Sequence, residues 1–482
     1  MCLATISAGL PPGLDGRLRG AHLRSLPVSA VLSDPPAQAA PDRRSRGWLP
    51  LLAVLVVAAF VLVVGRIGRR LTLDGTVLHL LGGWVLRGQF DVVWSARVWL
   101  PVVVALAGVL LGPALAARLP WRALLPGSAL AAAGWAVALA QTSGPDRLTA
   151  PLDVVYEYPH DVPRVGSISA FLSGFVDSVP ADSADPWTTH VAGHPPGALL
   201  AFVLLDRVGL TGLGWAAAMC IAGGALAVPA VLVGVRAVAG EGPARRCAPF
   251  LVFAPVALWV ATSADALFAG VAAWGVALLA AAAARAPGRG SDVRALAGGL
   301  LLGLALFLSF GLTALGLVVL AVVGVHRGRL GWGGVVRVLG VGAVGVLVVV
   351  AAFAVGGYWW VDGFSAAGAR VRSGPSYADR PLGFFLVANL AAAALALGPA
   401  AVAGLASLRR TRLALLPLAA LAGMLASDVS GLVRGETERI WLPFYVWVLA
   451  ATAFLPPRQR RVWLLLSAVL AIGIEVVVRT EW

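Results

Sequence analysis

The chain has 482 residues, of which 59% are hydrophobic and only 12% are charged, and its formal net charge at pH 7 is +14. The mean hydropathy of +0.88 is far above that of a soluble domain, and apolar runs long enough to cross a bilayer recur, which excludes a soluble globular protein. Most arginines lie in short segments between these runs, as in cytoplasmic loops, so the positive charge does not indicate nucleic-acid binding.

The N-terminal segment differs in composition from the rest of the chain. Residues 1–46 are rich in Pro, Ser, Ala and Arg and lack a sustained hydrophobic period, so we expect a disordered cytoplasmic tail. The first apolar run, 48–65, is longer than a typical signal-peptide core and is followed by no A-x-A-like cleavage site. We therefore expect a retained anchor that opens a membrane domain over residues 47–482.

Further apolar windows predict transmembrane helices along the remaining chain. They lie at 97–117, 121–141, 195–208, 210–235, 247–262, 264–284, 295–325, 334–356, 381–406, 412–432, 440–456 and 462–478. Arginines predict which connections face the cytoplasm. The arginine-rich connections share that side only if 295–325 crosses twice, with a hinge near 309–311, and 195–208 does not cross.

The run 195–208 begins with HPPGALL and is too short to span. Its 14 residues of helix rise about 21 Å, less than the roughly 30 Å hydrocarbon core, so we expect a re-entrant or interfacial helix on the outer face. The predicted fold is an all-α, polytopic transmembrane helical bundle of about 13 spans in the cell membrane, with a cytoplasmic N-terminus.

Three segments are predicted on the extracytoplasmic side, at 142–194, 357–380 and 434–444. The main loop, 142–194, is acidic, and its apolar stretch AFLSGFV predicts short helices lying along the membrane surface. The loop also contains YEYPHD, in which two tyrosines, a histidine and two acids within six residues suit the binding of sugar hydroxyls. These side chains are Tyr156, Glu157, Tyr158, His160 and Asp161.

Either acid of this motif is a candidate general base, because a carboxylate can accept the proton of a hydroxyl as it attacks a sugar carbon. Glu157 and Asp161 would share one face of a helix, but Pro159 between them favours a turn. For a single carboxylate in this loop, a solvated acidic side chain is the competing interpretation.

Two histidines end the main loop in the sequence HVAGH. His190 and His194 are spaced for a metal site with a carboxylate, but no helix is predicted across them and the HExxH motif is absent. We therefore favour histidines that hydrogen-bond a loop or a phosphate, and expect no cofactor, with a divalent metal as the less favoured alternative.

A polar TSAD turn separates two apolar runs at 262–265. Asp265 near the outer end of a span is costly unless it is paired or faces water, which makes it a candidate site residue. The alternative is an N-cap, in which Ser263 or Asp265 satisfies the first amides of the following helix.

Arginines in the other outer segments are candidates for binding a lipid-linked phosphate. A planar guanidinium suits that task at a membrane surface, and Arg370, Arg372 and Arg439 are placed for it. For Arg439, local pairing with Glu436 or Glu438 is the competing account.

This arrangement resembles the GT-C superfamily of integral membrane glycosyltransferases. YEYPHD lies in an acidic outer loop that ends in HPPG, which is similar to the His-Pro-Pro-Leu of the protein mannosyltransferase and aminoarabinose transferase branches. TSADALFAGVAAWGVALL resembles a later helix pair of the family, and ETERIWLPFYVWVLAA resembles its Glu/Arg-aromatic-Leu-Pro stretch. Together these matches extend over roughly 150–455, in the order of the family.

The resemblance implies an inverting transfer of a sugar from a polyprenyl-phosphate donor to a cell-envelope glycan, glycolipid or protein acceptor. It implies Asp161 or Glu157 as the base, Arg439 at the leaving phosphate and His194 in the pocket wall. In the family the catalytic acid usually follows the first span, where this chain has Asp74 as a rival base. Gly197 replaces the leucine of the family motif, and we expect looser packing there.

Two other classes of function stay open at this point. A secondary transporter is disfavoured because the sequence contains no internal inverted repeat and most acids lie in loops instead of within spans. A non-catalytic membrane protein is compatible with the aliphatic composition.

Overall fold

The structure of the protein is a computed structural model that describes residues 47–481 except Leu81, Gly83, Trp94 and Thr262. The predicted tail over 1–46 lies outside the described residues. The first third of the described chain contains helices α1 Leu49–Leu73, α2 Trp99–Arg118, α3 Trp121–Ala140, α4 Ile168–Gly174, α5 Thr189–Gly193 and α6 Gly197–Arg207.

The middle of the chain is almost entirely helical. It contains α7 Leu213–Ala239, α8 Glu241–Val252, α9 Ala264–Ala283, α10 Arg289–Leu308, α11 Gly316–Gly324, α12 Arg327–Val355 and α13 Trp360–Ser373. The last third contains α14 Pro375–Asp379, α15 Leu382–Ala406, α16 Leu415–Val429, α17 Thr437–Ile440, α18 Leu442–Val448 and α19 Arg460–Val477.

The prediction of an all-α bundle is confirmed, while the predicted number of spans is not. Among the described residues, nine helices are long and apolar enough to cross a membrane. Most predicted crossings beyond these nine fall on shorter or interrupted helices, whereas the one at 462–478 falls on α19, an 18-residue helix with three charged residues. Over 247–262, for example, α8 ends at Val252 and a separate 3-10 turn follows at Pro255–Trp259, because Pro255 lacks the amide hydrogen that a continuing helix requires.

The apolar run 295–325 divides as expected. Helix α10 ends at Leu308, Ser309 is extended, and a 3-10 turn at Phe310–Leu315 leads into α11. The predicted hinge near 309–311 is therefore present. The two most buried long helices are α7 and α9, whereas α1 and α12 expose most of their apolar surface, as expected for helices that face lipid.

The HPPG stretch begins a short helix, as predicted. Helix α6 has 11 residues and rises about 16 Å, so it is too short to span the bilayer. The expectation of loose packing at Gly197 is wrong. A Cβ atom at this position would lie 2.4 Å from the carbonyl oxygen of Phe307, so the absence of a side chain lets α6 touch the end of α10.

A two-stranded antiparallel sheet departs from the all-α expectation. Strand β1, Gly88–Phe90, pairs with β2, Val478–Thr480, with Gln89 opposite Arg479. The sheet joins the segment after α1 to the end of α19. It thereby brings residues far apart in sequence to the same end of the bundle.

Small residues let α10 and α12 approach closely. A Cβ at Gly299 would lie 1.9 Å from the carbonyl oxygen of Gly342, whereas Gly340 on the other face of α12 has no atom within 4 Å. Glycine-mediated contact of this kind is a common basis of helix packing in membranes.

We expect Gly299→Ala to destabilise the protein by about 1–3 kcal/mol, because the added methyl group forces two backbones apart. Gly340→Ala is the matched control, since it adds the same methyl group to an exposed helix face. Thermal unfolding in detergent, followed by tryptophan fluorescence, measures both. Equal stability of the two variants would contradict the close contact of α10 and α12.

Candidate active site

The candidate site is built around the guanidinium group of Arg439 on α17. This side chain is only 7% exposed, and its Nη1 lies 2.6 Å from Oδ2 of Asp265, at the start of α9. Its Nη2 lies 2.8 Å from Oε2 of Glu436 and 3.0 Å from Nε2 of His190 on α5. Three distant parts of the chain therefore meet at one buried cation.

The structure shows the N-cap expected at the TSAD turn and the local pair expected for Arg439, while the roles of Asp265 and Arg439 in ligand binding stay predictions. Ser263 is the N-cap of α9, since its hydroxyl accepts a hydrogen bond from the amide of Asp265. The Asp265 carboxylate is then available to Arg439 instead of capping the helix. Arg439 also makes the local pair with Glu436 that was the competing expectation. Burial alone lowers the pKa of Arg439, but Asp265 and Glu436 raise it overall, so the guanidinium is charged.

The ring of His190 bridges Arg439 and Glu157. A guanidinium only donates, so Nε2 of His190 is the acceptor in the contact with Arg439. The other ring nitrogen, Nδ1, lies 2.9 Å from Oε1 of Glu157. Glu157 thus orients His190, and His190 orients Arg439.

Arg87, just before β1, continues this network. It pairs with Glu436, and its Nε donates to Oε2 of Glu481 at 2.7 Å. Tyr156 donates its hydroxyl to the same oxygen of Glu481 at 2.8 Å, which together with burial raises the pKa of Tyr156 to about 12. Burial would raise the pKa of Glu436, but Arg439 and Arg87 lower it to about 2.

The loop that carries Glu436 is held by Asn389 of α15. The side-chain amide of Asn389 donates to Asp428 and to the carbonyl of Val433, and its oxygen accepts from the amide of Gly435. Glu436 has a positive φ of 61°, a conformation that costs free energy in a non-glycine residue and persists only where the surroundings impose it. Asn389 supplies part of that constraint.

A cavity of about 530 Å³ lies beside this network. Its wall includes Tyr156 and His190, and Glu436 is the acidic residue among the described residues that line it. Four arginines line it as well: Arg87, Arg370, Arg380 and Arg434. The cavity therefore presents an excess of positive charge at the same end of the bundle as Arg439.

Three of these arginines are held by backbone carbonyls. Arg370 donates to the carbonyls of Val179 and Trp187, at 2.7 and 3.1 Å. Arg434 donates to the carbonyls of Tyr377 and Arg380, at 2.6 and 2.7 Å, and Arg380 donates to that of Leu78 at 3.1 Å. Within the part of the chain that the structure describes, none of the three forms an ion pair. Their charges are fixed in place and not neutralised.

The predicted site residues divide into two sets. Tyr156, His190 and Arg370 line the cavity, and Glu157, Asp265 and Arg439 form the buried network beneath it. The others lie apart. Arg372 and His160 are exposed, and His160 lines a different cavity beside α6. Asp74, the rival base, is exposed at the end of α1.

Asp161 is buried and fully engaged in holding the main loop. Its Oδ1 lies 2.7 Å from Arg164, and its Oδ2 accepts hydrogen bonds from the amide and the hydroxyl of Thr188, at 2.9 and 2.8 Å. Thr188 is the N-cap residue of α5. Asp161 therefore fixes the start of the helix that carries His190.

Tyr158 and His194 lie in an aromatic cluster below the loop. Tyr158 stacks on Phe202, with ring centroids 5.3 Å apart, and His194 packs against Tyr158 and Phe268. Burial lowers the pKa of His194 to about 4, so its ring is neutral at pH 7. These contacts support the packing of α5 and α6 on α9.

The expectation that no helix runs through HVAGH is wrong, because α5 covers Thr189–Gly193. The two histidines nevertheless point to different partners. His194 Nδ1 lies 2.8 Å from the carbonyl oxygen of His190, whereas the ring of His190 contacts Glu157 and Arg439. Over the described residues, no group of three or more His, Cys, Asp or Glu side chains is arranged to hold a metal ion.

Comparison with known proteins finds likeness only among solved structures. No family model and no curated protein matches the sequence. Solved structures that are similar in fold include the two described next. One is ArnT from Cupriavidus metallidurans in the apo state, with 18% identity and a TM-score of 0.40, over 63% of this chain and 56% of that chain.

The other is the oligosaccharyltransferase AglB from Archaeoglobus fulgidus, in complex with an inhibitory peptide and a dolichol-phosphate. Its identity is 14% and its TM-score 0.41, over 75% of this chain and 56% of that chain. The chain thus spans little more than half the length of these structures. These similarities concern the fold alone.

Glu438 offers a test of the electrostatics of the site. It is completely buried, and burial raises its pKa to about 7. Its Oε1 accepts from the amide of Arg87, whereas its Oε2 has no hydrogen-bond partner among the described residues. A group with a raised pKa in the folded state binds its proton there more tightly than in the unfolded state, so its charging opposes folding as the pH rises.

We therefore expect thermal stability to fall as the pH rises from about 5 to above 7, and Glu438→Gln to reduce that fall. Unfolding temperatures of both proteins in detergent, measured at several pH values across this window, provide the test. A variant with the same pH dependence as the wild type would show that Glu438 is charged throughout.

Proposed function

We propose that this protein is a membrane glycosyltransferase that takes its sugar from a polyprenyl-phosphate donor. The observation that carries the proposal is the cavity of about 530 Å³, where three fixed and unneutralised guanidinium groups lie beside a network of carboxylates. A phosphate group satisfies the arginines, and sugar hydroxyls satisfy the carboxylates, the tyrosine and the histidine. The GT-C-like fold agrees with this function.

The donor phosphate binds to Arg370, Arg380 and Arg434 in this proposal. Guanidinium groups match phosphate oxygens in a bidentate geometry, and their charge stabilises the phosphate as it departs. Because backbone carbonyls already hold these side chains, little reorganisation is needed at the moment of reaction. Arg439 contacts Glu436 on the cavity wall and stabilises the site from below.

The lipid part of the donor has a path to the bilayer along α13. Arg370 and Arg372 lie at the C-terminal end of this helix, and Trp360 and Phe364 at its other end stack on each other. Trp359 and Val361 are exposed there. A helix with basic and aromatic faces is typical of the membrane interface, where a polyprenyl chain stays in lipid while its phosphate reaches the arginines.

We propose that Glu436 accepts a hydrogen bond from the acceptor hydroxyl and orients it for attack. Arg439 and Arg87 hold the pKa of Glu436 at about 2, so the proton of the hydroxyl passes to the departing phosphate instead. In the reaction, the hydroxyl oxygen bonds to the anomeric carbon, the bond from that carbon to the phosphate oxygen breaks, and the electron pair leaves with the phosphate. Glu436 reaches the cavity, whereas Asp161 is tied to Thr188 and Arg164. The earlier prediction of Asp161 or Glu157 as the base is untested, and here Glu157 orients His190.

The contacts support a transferase better than a secondary transporter. The ion pairs of Arg439 and Arg87 gather at the ends of helices and in connecting segments, on one side of the bundle. Transporter sites typically lie near the bilayer midplane, between broken helices. Sugar transfer to an acceptor in the cell envelope requires access from one side only.

A pair of arginines on α13 tests donor binding. We expect Arg370→Gln to raise KM for the donor by about 10–100-fold, because it removes a charge-assisted contact to phosphate. Arg372→Gln is the matched control, since this side chain is exposed and lies outside the cavity lining. Initial rates in proteoliposomes with a panel of radiolabelled polyprenyl-phosphate sugars give the comparison. Equal losses in the two variants would point to diffuse attraction and not to a phosphate site.

Variants of three carboxylates test this role. We expect Glu436→Gln to reduce kcat by about 10–100-fold, because it removes a charged acceptor for the hydrogen bond of the attacking hydroxyl. Glu157→Gln keeps an acceptor for His190 Nδ1 and should cost much less. Asp161→Asn should mainly lower thermal stability, since it weakens the start of α5. Transfer abolished by Glu157→Gln or Asp161→Asn, but retained by Glu436→Gln, would exclude this assignment.

A further inference from the structure

A second arginine-lined cavity lies at the opposite end of the bundle. Helix α7 begins at Leu213, beside His160 of the main loop, and ends at Ala239, about 40 Å further along. The residues that follow this end line a cavity of about 590 Å³. By the charge rule that predicts sidedness, this end faces the cytoplasm, so the cavity is separate from the site described above.

The charged residues of this cavity are all of one sign. It is lined by Arg246 of α8, Arg409 and Arg412 before α16, and Arg460 at the start of α19. The residues that line it include no carboxylate. We call these four side chains the inner arginine cluster.

The chain holds part of this cluster in place without neutralising it. Nε of Arg246 donates to the carbonyl of Ala453 at 3.0 Å, and Nε of Arg460 donates to that of Leu455 at 3.1 Å. Each of these contacts uses one hydrogen of the guanidinium group. The charges of Arg246 and Arg460 lie close enough to repel each other. Among the described residues, no member of the cluster forms an ion pair.

Neighbouring arginines at this end form ion pairs with carboxylates, unlike the cluster. Arg236 and Arg245 both pair with Glu241, at 3.1 and 2.6 Å, and Arg337 pairs with Asp292 at 2.6 Å. Carboxylates are therefore available on this side of the bundle, yet the cluster has none. Four like charges around a concave surface focus the electric field and attract a counter-anion.

We propose that the inner arginine cluster binds a phosphate group, carried by an anionic lipid headgroup or by a soluble phosphate. Guanidinium groups bind phosphate oxygens through paired hydrogen bonds. Basic pockets between transmembrane helices on the cytoplasmic side are suited to anionic headgroups. The apolar part of the wall, which includes Val238, Leu413 and Phe454, can contact the acyl chains of a lipid.

The test uses the full-length protein reconstituted in vesicles of phosphatidylcholine and phosphatidylglycerol. After extraction into detergent, native mass spectrometry counts the lipids that stay bound. We expect the wild type to retain phosphatidylglycerol in preference to phosphatidylcholine, and Arg246→Gln/Arg460→Gln to lower that preference about tenfold, a difference of about 1.4 kcal/mol in binding free energy. A second arm measures stabilisation of the lipid-free protein by inorganic phosphate.

Arg458→Gln/Arg461→Gln is the matched control, because it removes the same charge from exposed positions on the same segment, outside the cavity. Arg412→Gln is a single change at an exposed side chain, for use if the double variant fails to fold.

If the wild type retains phosphatidylglycerol and the cluster variant loses it, the bound phosphate belongs to a lipid. If inorganic phosphate alone stabilises the wild type in a saturable way, and the cluster variant loses that stabilisation, the bound phosphate is a soluble anion. Equal losses in cluster and control variants, or no binding in either arm, would overturn the proposal.

Discussion

The buried charge of Arg439 is the constraint on which the outer end of this protein depends. A guanidinium group taken out of water is costly unless several partners surround it, and this one has Asp265, Glu436 and His190. Those partners belong to α9, to the loop before α17 and to α5. To satisfy one cation, the fold must bring the ends of these elements together. Removing Arg439 would leave the buried carboxylate of Asp265 without its cation, which is more costly than losing the contact alone.

Two layers of charge follow from this arrangement. In the lower layer, the guanidinium groups of Arg439 and Arg87 pair with carboxylates. The upper layer consists of Arg370, Arg380 and Arg434, which are anchored to backbone carbonyls and keep their charge for a ligand. Such a division suits phosphate-dependent transfer, in which a preorganised cationic surface stabilises the leaving group. Asp161 and Asn389 contribute indirectly, since they hold the segments that carry His190 and Glu436.

The sequence predicted the helices and much of the buried network. Asp265 and Arg439 could be predicted as site residues from the sequence, because an ionisable residue at the end of an apolar run is costly without a partner. Arg87 and Glu481 were missed, because they meet through strands of three residues each, too short to show a period and about 390 positions apart. A cytoplasmic N-terminus and about 13 spans would place both residues on the outer side, which is a weak signal for a contact between them. Asp161 resembled a base in the sequence, but its partner Thr188 is 27 positions away, and only the fold shows the contact.

The central claim is that the phosphate of a lipid donor binds at the upper layer of arginines. The most direct measurement is an experimental structure of the protein in lipid nanodiscs with a polyprenyl phosphate. The account predicts phosphate density within hydrogen-bond distance of at least two of Arg370, Arg380 and Arg434, with the polyprenyl chain leaving toward α13. Phosphate density elsewhere on the outer face, with these arginines still bound only to backbone carbonyls, would contradict it.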